Sequence, residues 1–137
     1  MRLLLPRVFT PGEANSLVVG TVSLAHPLVR RIIDLMPNAK VVEHAYARVE
    51  DKHDGHDWHV DTGTGNHMPW CGWSASVLLT PPDQFKGGVL QFENPFEEHL
   101  HYLGALVYSS DQRHCVTPHI GARRALLVFL GADDNGE

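Results

Sequence analysis

His59-Val60-Asp61 is the stretch of this chain whose residue types and spacing bear most directly on chemistry. On an extended backbone, side chains i and i+2 share a face, so the imidazole and the carboxylate point the same way. Such a pair is two-thirds of a 2-His-1-carboxylate iron site, which leaves coordination positions open for substrate and oxygen. The remaining ligand has to come from another strand, and His114, in His114-Cys115-Val116-Thr117-Pro118, is the candidate. His119 on the same segment is its rival. Arg123 follows, and its guanidinium fork matches a carboxylate. An arginine turned inward at the rim of a β core needs an anionic partner, because an unpaired buried charge is costly. Arg124 competes for that role. The plainer alternatives are a solvated His-Asp pair, an edge histidine and an arginine held in a structural ion pair.

These residues need strands to hold them, and the chain supplies them after a helical start. Leu3-Leu4-Leu5 and Val8-Phe9 read as a short strand interrupted by Pro6. Thr10-Pro11-Gly12-Glu13 has the form of a capping box with proline at the first helical position, opening a helix to roughly residue 19. His26-Pro27 opens a second helix, with Leu28, Ile32 and Leu35 at helical spacing, and Pro37-Asn38 stops it. From Lys40 the composition turns β-rich, and Val41–Val49, Trp58–Asp61, Ser74–Thr80, Gly88–Glu93, Gly104–Ser109, His114–Thr117 and Arg123–Leu130 read as strands. Asp51–Asp57 reads as a charged loop, Asn94–His101 as another, and the polar end as a frayed tail. Helices first and short strands after argue for an α+β chain, mostly β, with an antiparallel jelly-roll core. The division expected is one domain over 1–137: helical support 1–38, β core 39–131 and tail 132–137.

Composition narrows the classes. With 137 residues, 43% hydrophobic and 20% charged, the chain has the make-up of a globular domain, not of a disordered or membrane protein. The net charge of -5 comes without a basic stripe, which argues against a nucleic-acid partner. No apolar run approaches the roughly 20 residues of a membrane span. Cys71 and Cys115 read as free thiols, which fits a reducing, cytoplasmic setting.

Taken in order, the motifs resemble the 2-oxoglutarate- and Fe(II)-dependent oxygenases, specifically the prolyl 4-hydroxylase-like branch. The matching pieces are His59-Val60-Asp61, Ser74–Thr80, Phe85-Lys86-Gly87-Gly88-Val89-Leu90-Gln91-Phe92, Gly104–Tyr108, His114-x-Val116-x-Pro118 and Gly121-x-Arg123. The resemblance implies a double-stranded β-helix, a cupin-like jelly roll. His59, Asp61 and His114 would hold Fe(II). Arg123 would take the distal carboxylate of 2-oxoglutarate, helped by a tyrosine from an earlier strand, for which Tyr46 is placed. Oxygen is the other co-substrate and ascorbate an accessory reductant. The implied reaction hydroxylates a C–H bond of a prolyl residue in a peptide or protein and releases succinate and carbon dioxide. The chain departs from the pattern at three points. The stretch from His114 to the glycine is one residue short, His119 stands where an apolar residue is usual, and the helical support is brief. Asp61 is present, which disfavours the halogenating variant.

Two other readings compete. One is a small-molecule hydroxylase, acting on a free amino acid or metabolite at the same site. The other is a non-catalytic metal-binding β-barrel, against which Arg123 argues. Zinc in the same ligands could support hydrolysis, but no general base stands out near His59. Of the remaining histidines, His53, His56, His99 and His101 are expected in solvent, and His44 either faces the pocket or sits in the core. Trp58, Trp70 and Trp73 are expected to pack, and Gly87-Gly88 to form a turn with unusual backbone angles. The loops Glu50–Asp57 and Thr62–Gly72 are expected to act as a lid. The sequence leaves the oligomeric state open.

Overall fold

The computed structural model describes residues 2–37, 44–62, 68–95 and 99–131. Its elements are β1 (Arg2–Leu5), α1 (Pro11–Ser16), β2 (Gly20–Thr21), α2 (Pro27–Leu35), β3 (Ala45–Glu50), β4 (His56–His59), β5 (Cys71–Leu78), β6 (Phe85–Gly87), β7 (Leu90–Phe92), β8 (Ala105–Ser109), β9 (His114–Val116), β10 (His119–Gly121) and β11 (Ala125–Gly131). A six-stranded sheet runs in the order β1-β8-β5-β11-β3-β2. A three-stranded sheet, β4-β9-β7, and the pair β10-β6 complete the strand set, and every ladder between these strands is antiparallel. This is the mostly β jelly-roll architecture expected from the sequence.

Period-two alternation divides the large sheet into two faces with different work. One face presents Ala47, Val49, Ala75, Val77, Ala105, Val107, Leu126, Val128 and Leu130, all buried. The helices close that face with Ala14, Leu17, Val29, Ile32 and Ile33. The other face presents Arg48, Glu50, Ser76, Tyr108, Ala125, Leu127 and Phe129 to a cavity. The apolar core is thus on the helical side, and the opposite side is free to carry polar groups.

Local signals explain the helices. In α1 the Thr10 side chain accepts from the Glu13 amide and the Glu13 side chain accepts from the Thr10 amide, closing the capping box. The helix ends at Ser16, earlier than the sequence suggests, because Leu17 is already extended and Val18 and Val19 lie exposed on the way to β2. In α2 the His26 ring caps the Leu28 amide and Pro27 follows at the first position. Its buried stripe is Leu28, Val29, Ile32 and Ile33, while Leu35 turns out to solvent, so the stripe lies one residue off the expected set. Arg31 ties α2 to α1 through a two-pronged bridge to Glu13.

Several strand bounds also move. Asp61 lies just beyond β4, and Arg123 just ahead of β11. Residues 41–43 of the expected strand, 63–67 of the expected second lid loop and the expected tail 132–137 lie outside the described residues. The first lid loop, Glu50–Asp57, is tied down: the His119 amide donates to the His53 carbonyl at 2.9 Å and the Gly55 amide to the Lys52 carbonyl at 3.0 Å. No helix among the described residues is long and apolar enough to cross a membrane.

Candidate metal and dicarboxylate site

Both sheets supply side chains to one cavity of about 190 Å³. The three-stranded sheet brings His56 and His59 from β4, Leu90 from β7, and His114 and Val116 from β9. His59 and His114 stand directly opposite each other in the β4–β9 ladder, which puts their ring centroids 4.3 Å apart. Asp61 reaches the same point from the bend after β4, its amide held by the Ser110 carbonyl at 3.0 Å. His59 and Asp61 therefore converge although they do not share one strand face.

The donor atoms form a compact cluster. His59 Nε2 is 3.2 Å from Asp61 Oδ1, and His114 Nε2 is 3.5 Å from Asp61 Oδ2. One donor atom from each residue falls within 4.8 Å of the others, a spacing that can hold a metal ion. The far side of each ring carries more information. His59 Nδ1 is 2.7 Å from the Asp57 carbonyl, and His114 Nδ1 is 2.8 Å from the Gln112 carbonyl. A carbonyl only accepts, so both Nδ1 atoms carry the proton and both Nε2 lone pairs face the carboxylate. Lone pairs turned on a buried carboxylate call for a cation between them. Backing of this kind, with the second ring nitrogen donating to a fixed acceptor, is what orients metal-ligating histidines.

The titration behaviour agrees. The hydrogen-bond contact with Asp61 raises His59 above the ordinary histidine value against the pull of burial. Burial pushes the Asp61 carboxyl up, but the His59 bond, the His114 charge and the Ser74 bond outweigh it and hold it low. Burial lowers His114 despite the charge of Asp61. Beneath the carboxylate lies a polar chain. Ser74 Oγ donates to Asp61 Oδ2 at 2.7 Å and lies 2.9 Å from Ser110 Oγ, which is 3.0 Å from Cys71 Sγ. Ser74→Ala is expected to weaken Fe(II) binding about 10–100-fold, the usual cost of losing such a supporting bond. Equilibrium dialysis followed by metal analysis measures it.

Arg123 lines the same cavity. It is only 6% exposed, its Nε has no hydrogen-bond partner, and burial lowers its ordinary guanidinium value against the pull of Glu50 and Asp51. It packs on Gly88, whose positive φ of 64° and missing Cβ make the space: a Cβ there would come within 2.3 Å of Arg123 Cδ. The left-handed turn expected at Gly87-Gly88 thus forms the seat of the arginine. Arg124 is fully engaged elsewhere. Its guanidinium donates to the Ala14 and Leu17 carbonyls at the end of α1 and to Leu79. Of the two arginines, Arg123 lines the cavity.

Other expected residues fall in different places. Tyr46 shares the cavity-facing parity of β3 and stacks on Phe129 at 6.3 Å, but its hydroxyl lies 3.5 Å from Thr21 Oγ1, in a separate shallow groove with Gly20 and Lys52. Tyr108 is the tyrosine that lines the cavity, with its hydroxyl 3.4 Å from His114 Nε2 and its phenol held protonated by burial. His56 is not a solvated loop residue: it is half-buried in the cavity wall, 2.7 Å from Glu50. His53 is largely exposed yet lies 3.4 Å from Asp51, and His119 is buried against the same carboxylate. His99 and His101 are in solvent, and His44 is exposed, stacked on Trp70. Both cysteines are free and buried.

Sequence reasoning passed over Arg48, Glu50, Ser74 and Tyr108. Arg48 and Glu50 alternate with Tyr46 along β3, so strand parity already placed them on the cavity face. Arg48 Nε and the His56 ring both bond Glu50. Burial pushes Glu50 up, but the His56 bond and the charges of His56 and Arg48 prevail and hold it below the usual carboxyl range. A carboxyl lowered on folding stabilises the fold above its unfolded value, and that stability is lost as pH falls through the folded value. The thermal midpoint of the metal-free chain is therefore expected to fall on acidification below about pH 4.5. Glu50→Gln should flatten that part of the profile.

The chain has the double-stranded β-helix fold of the 2-oxoglutarate/Fe(II) oxygenases. It superposes on a viral collagen prolyl hydroxylase from Paramecium Bursaria Chlorella virus-1, in its 2-oxoglutarate complex, with a TM-score of 0.69 at 10% identity, covering 96% of each chain. On a Pseudomonas putida prolyl-4-hydroxylase the TM-score is 0.68 at 13% identity, covering 96% of this chain and 84% of that one. Iron-bound HygX from Streptomyces hygroscopicus gives 0.58 at 16% identity, covering 96% and 82%.

In sequence, the likeness runs to PKHD-type hydroxylases. The chain is 34% identical over 82 residues to the PKHD-type hydroxylase YbiX of Escherichia coli O1:K1 / APEC, and equally to that of Shigella dysenteriae serotype 1. The match covers 53% of this chain and 36% of the relative, so the chain spans little more than a third of the curated proteins it matches. No family model matches it.

Proposed function

We propose that the chain is an Fe(II)- and 2-oxoglutarate-dependent dioxygenase that hydroxylates a C–H bond, with a prolyl residue of a peptide or protein as its substrate. One observation carries this reading. Two imidazoles, each fixed through Nδ1, turn their Nε2 atoms on a buried carboxylate, and the same cavity is lined by a buried guanidinium whose Nε has no partner. A purely structural metal site gives no reason for that arginine.

On this reading His59, Asp61 and His114 hold the metal and Arg123 receives the distal carboxylate of the co-substrate. Iron with 2-oxoglutarate and oxygen supplies the oxidative chemistry: decarboxylation to succinate and carbon dioxide, and transfer of oxygen to the substrate carbon. The protein's part is orientation and exclusion of water. Asp57 and Gln112 fix the imidazoles, and Ser74 fixes the carboxylate. Leu127 and Phe129 add apolar surface to the same cavity. Tyr46 backs that wall through its stack on Phe129.

The cavity's volume of about 190 Å³ is below the roughly 300–1,000 Å³ of a cleft that engulfs a ligand. It suits a small dicarboxylate and leaves the bulk of the substrate outside. Beside it, sharing Leu90, runs a groove with Trp58, Val89, Phe92, Pro95 and His99. Trp58 is 39% exposed and Val89 44%, an apolar surface a peptide could cover. The Arg48–Glu50 pair in the cavity wall favours the alternative, a free amino acid or metabolite met by its charges. Two buried free thiols suit a cytoplasmic setting.

Succinate release, measured with proline-containing peptides and with free amino acids, tests the substrate class. Stimulation by peptides supports the proposal. Stimulation by free amino acids alone would replace it with the small-molecule reading.

A further inference from the structure

Behind Arg123 lies a second cluster of metal-ligating groups that the oxygenase reading does not use. His119, on β10, is buried with a side chain only 1% exposed, and its Nε2 is 2.9 Å from Asp51 Oδ1. His53 Nε2 is 3.4 Å from the same oxygen. The two rings stack with centroids 4.6 Å apart, and one donor atom from each of the three residues falls within 4.8 Å of the others. The segments are braced. The His119 amide donates to the His53 carbonyl at 2.9 Å, the Arg123 amide to Asp51 Oδ1 at 3.3 Å, and Gly55 is pressed against the Val116 carbonyl.

We infer that Asp51, His53 and His119 form a second metal site, separate from His59, Asp61 and His114, for a borderline divalent cation such as Zn(II) or Co(II). Two imidazoles and a carboxylate are the donor set such ions prefer over Mg(II) or Ca(II). Ligand atoms on a tetrahedral zinc with bonds of about 2.0–2.1 Å lie roughly 3.3–3.4 Å apart. The 2.9 and 3.4 Å separations around Asp51 Oδ1 bracket that spacing closely enough for small side-chain shifts to admit an ion. The remaining positions are open to water through the exposed His53.

The same geometry ranks the two sites. At the first, both Nδ1 atoms are pinned to carbonyls and Nε2 is free without rearrangement. At the second, His119 Nδ1 is buried with no partner. An ion on Nε2 must displace the proton now shared with Asp51, and the proton that moves to Nδ1 finds no acceptor there. Binding at the second site is therefore expected to be at least about tenfold weaker, the scale set by the loss of a supporting bond.

The test is equilibrium dialysis of the tag-free chain against Zn(II), with bound metal counted by mass spectrometry. Wild type is expected to hold two equivalents. A variant carrying His59→Ala and Asp61→Ala should keep one, with the weaker affinity, and adding His119→Gln or Asp51→Asn should remove it. Circular dichroism confirms that each variant is folded. Visible absorption of the Co(II) form reports the coordination of the retained ion. The inference is overturned if the folded His59→Ala, Asp61→Ala variant binds no metal, or if its equivalent survives both His119→Gln and Asp51→Asn. Loss of the tighter equivalent's dependence on His59 and Asp61 would count against the oxygenase site instead.

Discussion

Asp61→Ala is expected to abolish Fe(II) binding and turnover while leaving the chain folded. Asp61 is the only anionic donor of its cluster and is 5% exposed, so no solvent-held group can take its place. Removing it leaves two imidazoles facing each other with nothing to neutralise the ion. The loss should exceed the roughly 10–100-fold that follows removal of a supporting residue such as Ser74, reaching about a thousandfold or more in iron affinity. The main apolar core lies on the other face of the large sheet. Ser74 keeps Ser110 as a partner when the carboxylate goes. Iron analysis after dialysis and a thermal melt of the same sample separate a lost ligand from a lost fold.

Arg123→Ala is the second large effect, and it falls on the co-substrate rather than the metal. A charge-assisted hydrogen bond contributes about 1.5–3 kcal/mol, and a fork makes two. At roughly 1.4 kcal/mol per tenfold, 2-oxoglutarate affinity should drop about 10²–10⁴-fold with iron affinity unchanged. Arg123→Lys should recover part of it, because a lysine keeps the charge but not the planar fork. Arg124→Ala gives the contrast: it frees the Ala14 and Leu17 carbonyls at the end of α1, so the melting temperature falls while 2-oxoglutarate affinity stays. Isothermal titration under anaerobic conditions measures the affinity in each variant.

The strands of the core were legible because one face of the large sheet is apolar throughout, so alternation marked β3, β5, β8 and β11 plainly. The convergence of His59, Asp61, His114 and Arg123 was legible through motif order. Arg123 was favoured over Arg124, but two adjacent arginines look alike in sequence until the end of α1 claims one of them. Tyr108 and Ser74 sat inside recognised segments, yet their relation to His114 and Asp61 depends on strand pairings tens of residues apart. The expected placement of His56 in solvent failed for the same reason. Its partner, Glu50, meets it across a turn whose path no local pattern reveals. The helix α1, expected to reach roughly residue 19, stops at Ser16, where Leu17 is already extended and Val18 and Val19 lie exposed.

The central claim is that one cavity holds both iron and a dicarboxylate. It is tested most directly by adding 2-oxoglutarate to the Fe(II)-loaded chain without oxygen and following the visible spectrum. A weak metal-to-ligand charge-transfer band is expected in wild type, absent in Asp61→Ala, and present in Arg123→Ala only at far higher 2-oxoglutarate. A folded, iron-loaded wild type that shows no band at saturating 2-oxoglutarate would contradict the account.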